Sequence, residues 1–390
     1  MSGPVRERRR FRQQSRRNLN AAPASGAAGV AIVGGGLGGL VAYATLRHLG
    51  VGDVTVFGTD TDPAAVWRER AAAIRQRFMR SESDGHVAPA SFPGLAVRAA
   101  LRSGSPGPLL RSVADRYHPP VEDFLAHVAE VRERTAWDDA LVRARVGRVV
   151  AVDDGFDLDG RGVFRHVLIA PGHPGLARPD ELAGDRRAVH AYEPHDYADD
   201  VEVVGAGMAA ATEWLNALDA GATVTSVRRR EPERRPLNLP RTLFSRRGLA
   251  GFHRASRAER IGLLRRYSAP SYPPGRHWDE PLERAAAEGR FCVAAELNGA
   301  AQVICATGFN RGFRHDPLLA RLVDEHELET AEDWIVLTPD STVPGLTDER
   351  RTLALAGVPA QWAFPAADTL AGMKYAARRF AAKVVACPTR

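Results

Sequence analysis

Two glycine-rich turns of one design, Gly34-Gly35-Gly36-Leu37-Gly38-Gly39 and Gly205-Ala206-Gly207-Met208-Ala209-Ala210, lie 171 positions apart in this chain. Each follows a short β-branched run, Val30-Ala31-Ile32-Val33 in one case and Val201-Glu202-Val203-Val204 in the other, and each opens onto a helical pattern. A strand that bends sharply into a helix leaves the first N–H groups of that helix unpaired at its positive end, which suits a phosphate. Gly34 and Gly205 permit the bend, Gly36 and Gly207 let a pyrophosphate approach the backbone, and Gly39 and Ala210 let the helix pack closely on its strand. One such turn is weak evidence. Two of them in strand–turn–helix context predict an α/β chain that holds two dinucleotides.

The chain has 390 residues, enough for two domains, and its 44% hydrophobic content supplies their cores. A formal charge of +6 raises nucleic acid as a partner, but of 53 basic residues only Lys374 and Lys383 are lysines. So strong an arginine bias, beside abundant alanine and glycine, reads as genome base composition. No base-stacking motif accompanies it, so nucleic acid is not an expected partner. Cys292, Cys305 and Cys387 lie too far apart for a Cys-x-x-Cys pair or a zinc spacing. No metal site or disulfide framework is expected, and the cytoplasm is the default location.

Seven arginines between Arg6 and Arg17 precede an uncharged stretch from Ser25 to Leu46, a pattern shared with export signals and membrane spans. That stretch, however, carries seven glycines, and those at 34, 36 and 39 fall on the dinucleotide register. Residues 1–27 are therefore expected to be a solvated, disordered basic tail, with no membrane association.

The first turn is followed by a helical pattern over 40–49 closed by Gly50, a strand over 53–57, and a helical pattern from Ala64 to Arg80. Pro106-Gly107-Pro108 and Pro119-Pro120 mark a surface-loop region before a helix over 121–135. Short strands are expected at 149–152, 156–158 and 163–169. Residues 201–227 repeat the strand–turn–helix–strand plan, residues 228–276 are loop-rich, and a helix over 279–288 precedes a strand at 303–306. The last helix, about 368–386, is capped by Asp368 or Thr369 and turns Leu370, Met373, Ala377, Phe380 and Val384 to the core.

In such units an acid at the end of the second strand holds the ribose hydroxyls. The second unit instead has Arg228, Arg229 and Arg230 there. Guanidinium groups attract a 2′-phosphate, so this unit reads as the NADPH site, with Arg228 and Arg229 as its phosphate partners. The first unit ends its second strand at Phe57-Gly58, with Asp60 and Asp62 close behind. Either acid serves in place of the missing one, or the ribose is held weakly.

The chain after residue 28 resembles the single-component FAD- and NADPH-dependent monooxygenases, a family with N-hydroxylating, flavin-containing and Baeyer–Villiger members. The resemblance rests on both glycine turns, Trp67, Met79-Arg80-Ser81 with His86, Pro120-Val121 with Phe124, His190, and Ala306-Thr307-Gly308-Phe309 with its counterpart Ala170-Pro171-Gly172. It departs from the family at Ala64-Ala65, where Gly-Gly is usual, at Gly357-Val358, where Gly-Asp is usual, and around His190, where the full Baeyer–Villiger fingerprint is missing.

The resemblance implies two Rossmann-like domains, with the NADPH domain inserted into the FAD domain. FAD would be held by residues 28–195 and 300–390, and NADPH by residues 196–299. It further implies that Gly34, Gly36, Gly39, Asp60, Trp67, Thr307, Gly308, Asp368 and Thr369 hold FAD, and that Arg80, Ser81 and His86 lie beside the flavin as candidate catalytic residues. Gly205, Gly207, Ala210, Arg228 and Arg229 would hold NADPH. The implied reaction inserts one oxygen atom of O2 into a small metabolite, N-hydroxylation above all. An FAD-dependent NADPH reductase and a nucleotide-binding protein without flavin chemistry are the alternatives.

Overall fold

The structure is a computed structural model that describes residues 28–113, 116–237 and 239–386. The basic tail expected at 1–27 and Cys387 lie outside the described residues.

Two sheets organise the chain. The first has seven strands: β1 (Ala28–Val33), β2 (Val54–Gly58), β3 (Leu141–Arg143), β4 (Val149–Val152), β5 (Gly155–Leu158), β6 (Val163–Ile169) and β16 (Thr352–Leu355). Their order is β3-β2-β1-β6-β5-β4, with β16 also pairing β6. The run from β3 to β6 and the β16 pairing are parallel, whereas β4 and β5 add on antiparallel. Val30, Ala31, Ile32 and Val33 are all buried, as a central strand covered on both faces requires. The helix Leu37–His48 covers one face with Leu40, Val41 and Leu46, and the C-terminal helix Leu370–Ala386 packs against it through Ala377, Phe380 and Ala381.

The second sheet is wholly parallel, in the order β12-β9-β8-β13-β7. Its strands are β7 (Ala188–His190), β8 (Asp200–Val204), β9 (Thr223–Val227), β12 (Phe291–Ala294) and β13 (Gln302–Cys305). It therefore draws on residues 188–305, more at both ends than the expected 196–299, because the strands flanking each crossing side with the insert. A two-stranded strap, β10 (Glu233–Arg234) with β11 (Ser271–Tyr272), lies outside both sheets, as does a hairpin of β14 (Thr330–Ala331) and β15 (Trp334–Ile335).

Three local expectations are corrected. Helix Gly107–Val113 occupies the start of the region expected to be loop, and helix Gly94–Ser103, for which no element was expected, precedes it. Pro106 and Pro108 flank the start of Gly107–Val113, where a missing N–H costs nothing. The helix begun at Ala65 stops at Ala73 rather than reaching Arg80, because Arg75 adopts a positive φ of 47°. The helix Pro317–Glu325 is new; Asp316 caps it by accepting from Leu318 N and Leu319 N, with proline in its first turn.

Candidate dinucleotide sites

The two glycine turns have nearly the same geometry. Gly36 and Gly207, at the helix starts, have φ and ψ of −84° and −166°, and −89° and −165°. Neither helix has a side-chain cap or an acid in its first turn, so the N–H groups there are free for an anion. Gly34 and Gly205 sit at φ of 130° and 134°, a conformation that side chains rarely adopt. A Cβ on Gly34 would collide with the carbonyl oxygen of Ala170, and one on Gly205 would lie 2.5 Å from that of Ala306. Gly39 backs onto the Gly34 carbonyl, and Ala210 is fully buried. By contrast nothing lies within 4 Å of a Cβ on Gly36, and only Pro270 Cβ reaches 4.0 Å from one on Gly207. The closed positions belong to the fold and the open ones to a ligand.

Of the two acids beyond β2, Asp62 is committed: it accepts from Ala64 N at 2.9 Å and pairs with Arg68 at 2.8 Å. Burial alone would raise its pKa, but these bonds more than offset that and hold it below the usual range. Asp60 is exposed and touches only Thr59 Oγ1, and its carbonyl lies beside Gly35. It is the acid with lone pairs to offer a ribose. Trp67 packs edge-on against Phe124, with ring centroids 4.7 Å apart, which is a core contact.

In the second unit Arg228 is turned inward. Its side chain is 11% exposed, lies over Trp214 at 5.3 Å and pairs with Glu231 at 2.9 Å. Arg229 points out, 89% exposed, with Glu181 4.0 Å away. Arg229 is thus the solvent-facing guanidinium of the pair, while Arg228 Nε is buried without a hydrogen-bond partner. Arg229→Ala is expected to raise the NADPH KM about tenfold, a loss of about 1.4 kcal/mol, with NADH changed less than about twofold; equal effects on the two in steady-state kinetics would contradict the assignment.

Arg80 departs furthest from expectation. Its guanidinium is spent on backbone carbonyls of the inserted unit: Nη2 donates to Arg235 O at 2.7 Å and Leu237 O at 3.2 Å, and Nε to Pro236 O at 3.2 Å. Ser271 accepts more weakly through O at 3.5 Å and Oγ at 3.4 Å. Burial pulls its pKa down to about 10, with Asp84 opposing and Arg235 reinforcing. Arg80 thus grips the β10–β11 strap, whose neighbour Pro270 stands beside Gly207. His86 is enclosed, with Nε2 2.8 Å from Glu82 Oε1 and its ring against Phe92 and His127. Ser81 is buried and bonds Ser83 and Asp84. All three candidates bond protein partners, Arg80 the strap, Ser81 its own turn and His86 Glu82, and His86 Nδ1 is buried without one.

The crossings between the units zip together. Ala177 N donates to Gly308 O at 3.0 Å, Asn310 N to Gly175 O at 2.9 Å, and Thr307 Oγ1 to Ala177 O. Thr307 and Gly308 thus hold the crossing pair. Above them Tyr192 stacks on Phe309 at 4.7 Å and on His190 at 5.7 Å, His173 leans on Phe309 at 4.1 Å, and the Arg70 guanidinium lies 4.6 Å over that ring. Burial, with Arg70 and Arg311 nearby, drives the His173 pKa down to about 4. None of this stack except His190 and Phe309 was marked by the sequence, because its members come from four separate segments. Thr369 caps the last helix, accepting from Gly372 N at 3.2 Å, whereas Asp368 pairs with Arg311 at 3.4 Å.

A buried acid–histidine cluster inside the second unit surrounds Glu213 on the helix Met208–Asp219. Fully buried, Glu213 Oε2 accepts from Tyr197 at 2.7 Å and meets His195 Nε2 at 3.1 Å. His195 Nδ1 faces the Glu193 carbonyl at 2.7 Å. Both ring nitrogens thus face acceptors, an arrangement that favours the doubly protonated ring. Burial alone would lower the His195 pKa, but the bonds to Glu213 and Glu193 more than offset it and raise it above 6.5. A raised folded-state pKa contributes stability that is complete below the unfolded value and is lost as pH rises through the folded one. His195→Gln is therefore expected to flatten the alkaline decline in Tm that begins above about pH 6.5, read by thermal melts across pH; an unchanged slope would contradict the pair.

No protein-family model and no curated protein matches the chain. Solved structures do match it. The ornithine hydroxylase PvdA from Pseudomonas aeruginosa aligns with a TM-score of 0.65 at 16% identity, over 92% of this chain and 98% of its own. The ornithine N-hydroxylase KtzI of Kutzneria sp. 744, in a structure with reduced FAD, NADP+ and L-ornithine, aligns at 0.70 and 14% identity, over 92% and 99%. The bacillithiol disulfide reductase from Bacillus cereus aligns at 0.59 and 16%, over 92% and 98%. At these identities the shared property is the fold: a doubly wound α/β chain of two units, with the second sheet inserted between segments of the first, as the resemblance implied.

Proposed function

We propose that this chain is an FAD-dependent, NADPH-consuming monooxygenase that inserts one oxygen atom from O2 into a small metabolite, with N-hydroxylation as its reaction. The carrying observation is the pair of helix starts with matching backbone angles, each closed by backbone on the strand side and open at Gly36 and Gly207 on the other. The residues present fit two dinucleotides: unpaired N–H groups at each start, Asp60 for one ribose, and Arg229 for a 2′-phosphate. FAD, when bound, supplies the oxygen chemistry, and the protein supplies position and dryness. Gly34, Gly36 and Gly39 shape its diphosphate seat, and Thr369 fixes the start of the helix whose positive end completes the site. Arg80 holds the strap that walls the NADPH seat, and Thr307 with Gly308 holds the two units in register. We place the NADPH unit at 188–305, the span of the second sheet, with the FAD unit at 28–187 and 306–390, in the cytoplasm.

The likeness to two ornithine hydroxylases and a cadaverine monooxygenase supports an amine substrate. A disulfide reductase shares the fold. Cys292 and Cys305 nevertheless lie on β12 and β13, separated by β9 and β8, or about 14 Å at ordinary strand spacing. They form no redox pair among the described residues. Among these residues no helix is long and apolar enough to cross a membrane. The test is to incubate purified protein with FAD, record its visible spectrum, and follow NADPH consumption with amines under isotopically labelled O2. Monooxygenation places the label in a hydroxylated product. A yellow protein that consumes NADPH without labelling any product is a reductase, and a colourless one has no flavin chemistry.

A further inference from the structure

The three most exposed large aliphatic side chains among the described residues, Leu101, Val113 and Leu110 at 78%, 75% and 69%, all stand on one helical hairpin, Gly94–Ser103 with Gly107–Val113. Val97, one turn before Leu101, adds a fourth. A surface helix ordinarily turns its apolar side inward and its charges out. Here the first helix is docked through its charges: Arg98 meets Glu130 of the helix Val121–Thr135 through two nitrogens, at 2.7 and 2.6 Å, and Arg102 pairs with Asp123. Leu95 and Ala96 are buried beneath it, so Val97 and Leu101 are left facing outward. In the second helix Pro108 and Ser112 take the buried side, and Leu110 and Val113 the outer one. So concentrated an apolar patch marks an interaction surface.

Charge identifies the partner. No acidic residue occurs from Gly85 to Val113, whereas Arg111 lies exposed beside Leu110 with no carboxylate partner among the described residues. Arg241 Nη2 donates to the Val113 carbonyl at 3.0 Å and ties the hairpin to the segment that leads into the helix Arg246–Arg254, whose Phe252 is buried in the core of the first unit. Arg246 and Arg247 open that helix, exposed and likewise without a carboxylate partner among the described residues. We propose that the hairpin is a membrane-surface anchor: its aliphatic side chains enter the headgroup boundary of an anionic phospholipid bilayer, and Arg111 meets the phosphates beside them, with Arg246 and Arg247 adding to the attraction. A second copy of this chain fits less well, because a two-fold contact sets the acid-free patch against itself and brings like charges together. The anchor revises the expectation of no membrane association, which concerned a span over residues 25–46; a surface hairpin needs no span.

The full chain is sedimented with vesicles of mixed phosphatidylcholine and phosphatidylglycerol, and with vesicles of phosphatidylcholine alone. The mixed vesicles are expected to carry the protein down and to slow hydrogen exchange over residues 94–113, and the neutral ones to leave most of it in solution. Leu101→Ser with Leu110→Ser is expected to lower the partition coefficient at least about tenfold, and Arg111→Gln about fivefold. Tm and FAD uptake stay as in the wild type, because these side chains already face solvent. Should the paired leucine variant fail to fold, Arg111→Gln and the exchange over 94–113 decide. Absence of binding to the mixed vesicles overturns the proposal and leaves the patch to a protein partner. Binding that the leucine variant retains in full overturns it too, and assigns the attraction to arginines elsewhere, such as those among residues 1–27. A wild-type dimer that the leucine variant loses makes a second copy the occupant and overturns it as well.

Discussion

Gly36→Val gives a folded protein that no longer takes up FAD. Nothing lies within 4 Å of a Cβ at Gly36, and its φ of −84° is open to any residue, so the backbone tolerates the new side chain. The isopropyl group then stands where a phosphate must approach the unpaired N–H groups. FAD affinity is expected to fall at least about 100-fold, about 2.7 kcal/mol, while Tm stays within about 2 °C of wild type. Gly34→Val is the contrasting case. Its Cβ would strike the Ala170 carbonyl at a φ of 130°, and relief would require β1 and β6 to separate. That variant is expected to lose the fold, seen as insoluble expression. Calorimetric FAD titration and thermal melts distinguish the two. A Gly36→Val protein that binds FAD normally, or one that unfolds like Gly34→Val, contradicts the division between closed and open glycines.

Arg80→Ala is expected to raise the NADPH KM about 30-fold, about 2 kcal/mol, with FAD content unchanged. The size follows from removing a charged donor from several carbonyls that have no substitute partner. The direction follows from the strap's place: residues 235–237 and Ser271, freed from Arg80, let Pro270 drift from the Gly207 start. Arg80→Lys recovers only part of the loss, because a single ammonium does not span acceptors that a planar fork reaches together. Loss of FAD with NADPH binding intact would return Arg80 to the flavin side of the cleft.

Both cradles were legible because each is a local pattern: β-branched strand, glycine turn and helix all fall within about twenty residues. The C-terminal helix was legible for the same reason, its buried stripe running through Leu370, Ala377, Phe380 and Val384. The helices at 94–113 were not, because Leu101, Leu110 and Val113 stand exposed and blur the apolar period. Arg80 was legible as a site residue, but its partners were not. Its acceptors lie 155 to 191 positions away, and no local rule connects them. The direction of Arg228 was hidden in a different way, since position at a strand end does not fix it, and Trp214 with Glu231 draws the side chain inward. Asp60 and Asp62 were equivalent in sequence and were separated only when Ala64 and Arg68 were seen to claim Asp62.

The most direct test of the account is the binding stoichiometry of the wild-type protein, titrated with FAD and then with NADPH by calorimetry and visible spectroscopy. One FAD and one NADPH per chain are expected, with Gly36→Val abolishing only the first and the matching Gly207→Val only the second. A single dinucleotide per chain, or two that are lost together when either glycine is replaced, would contradict the existence of two separate cradles.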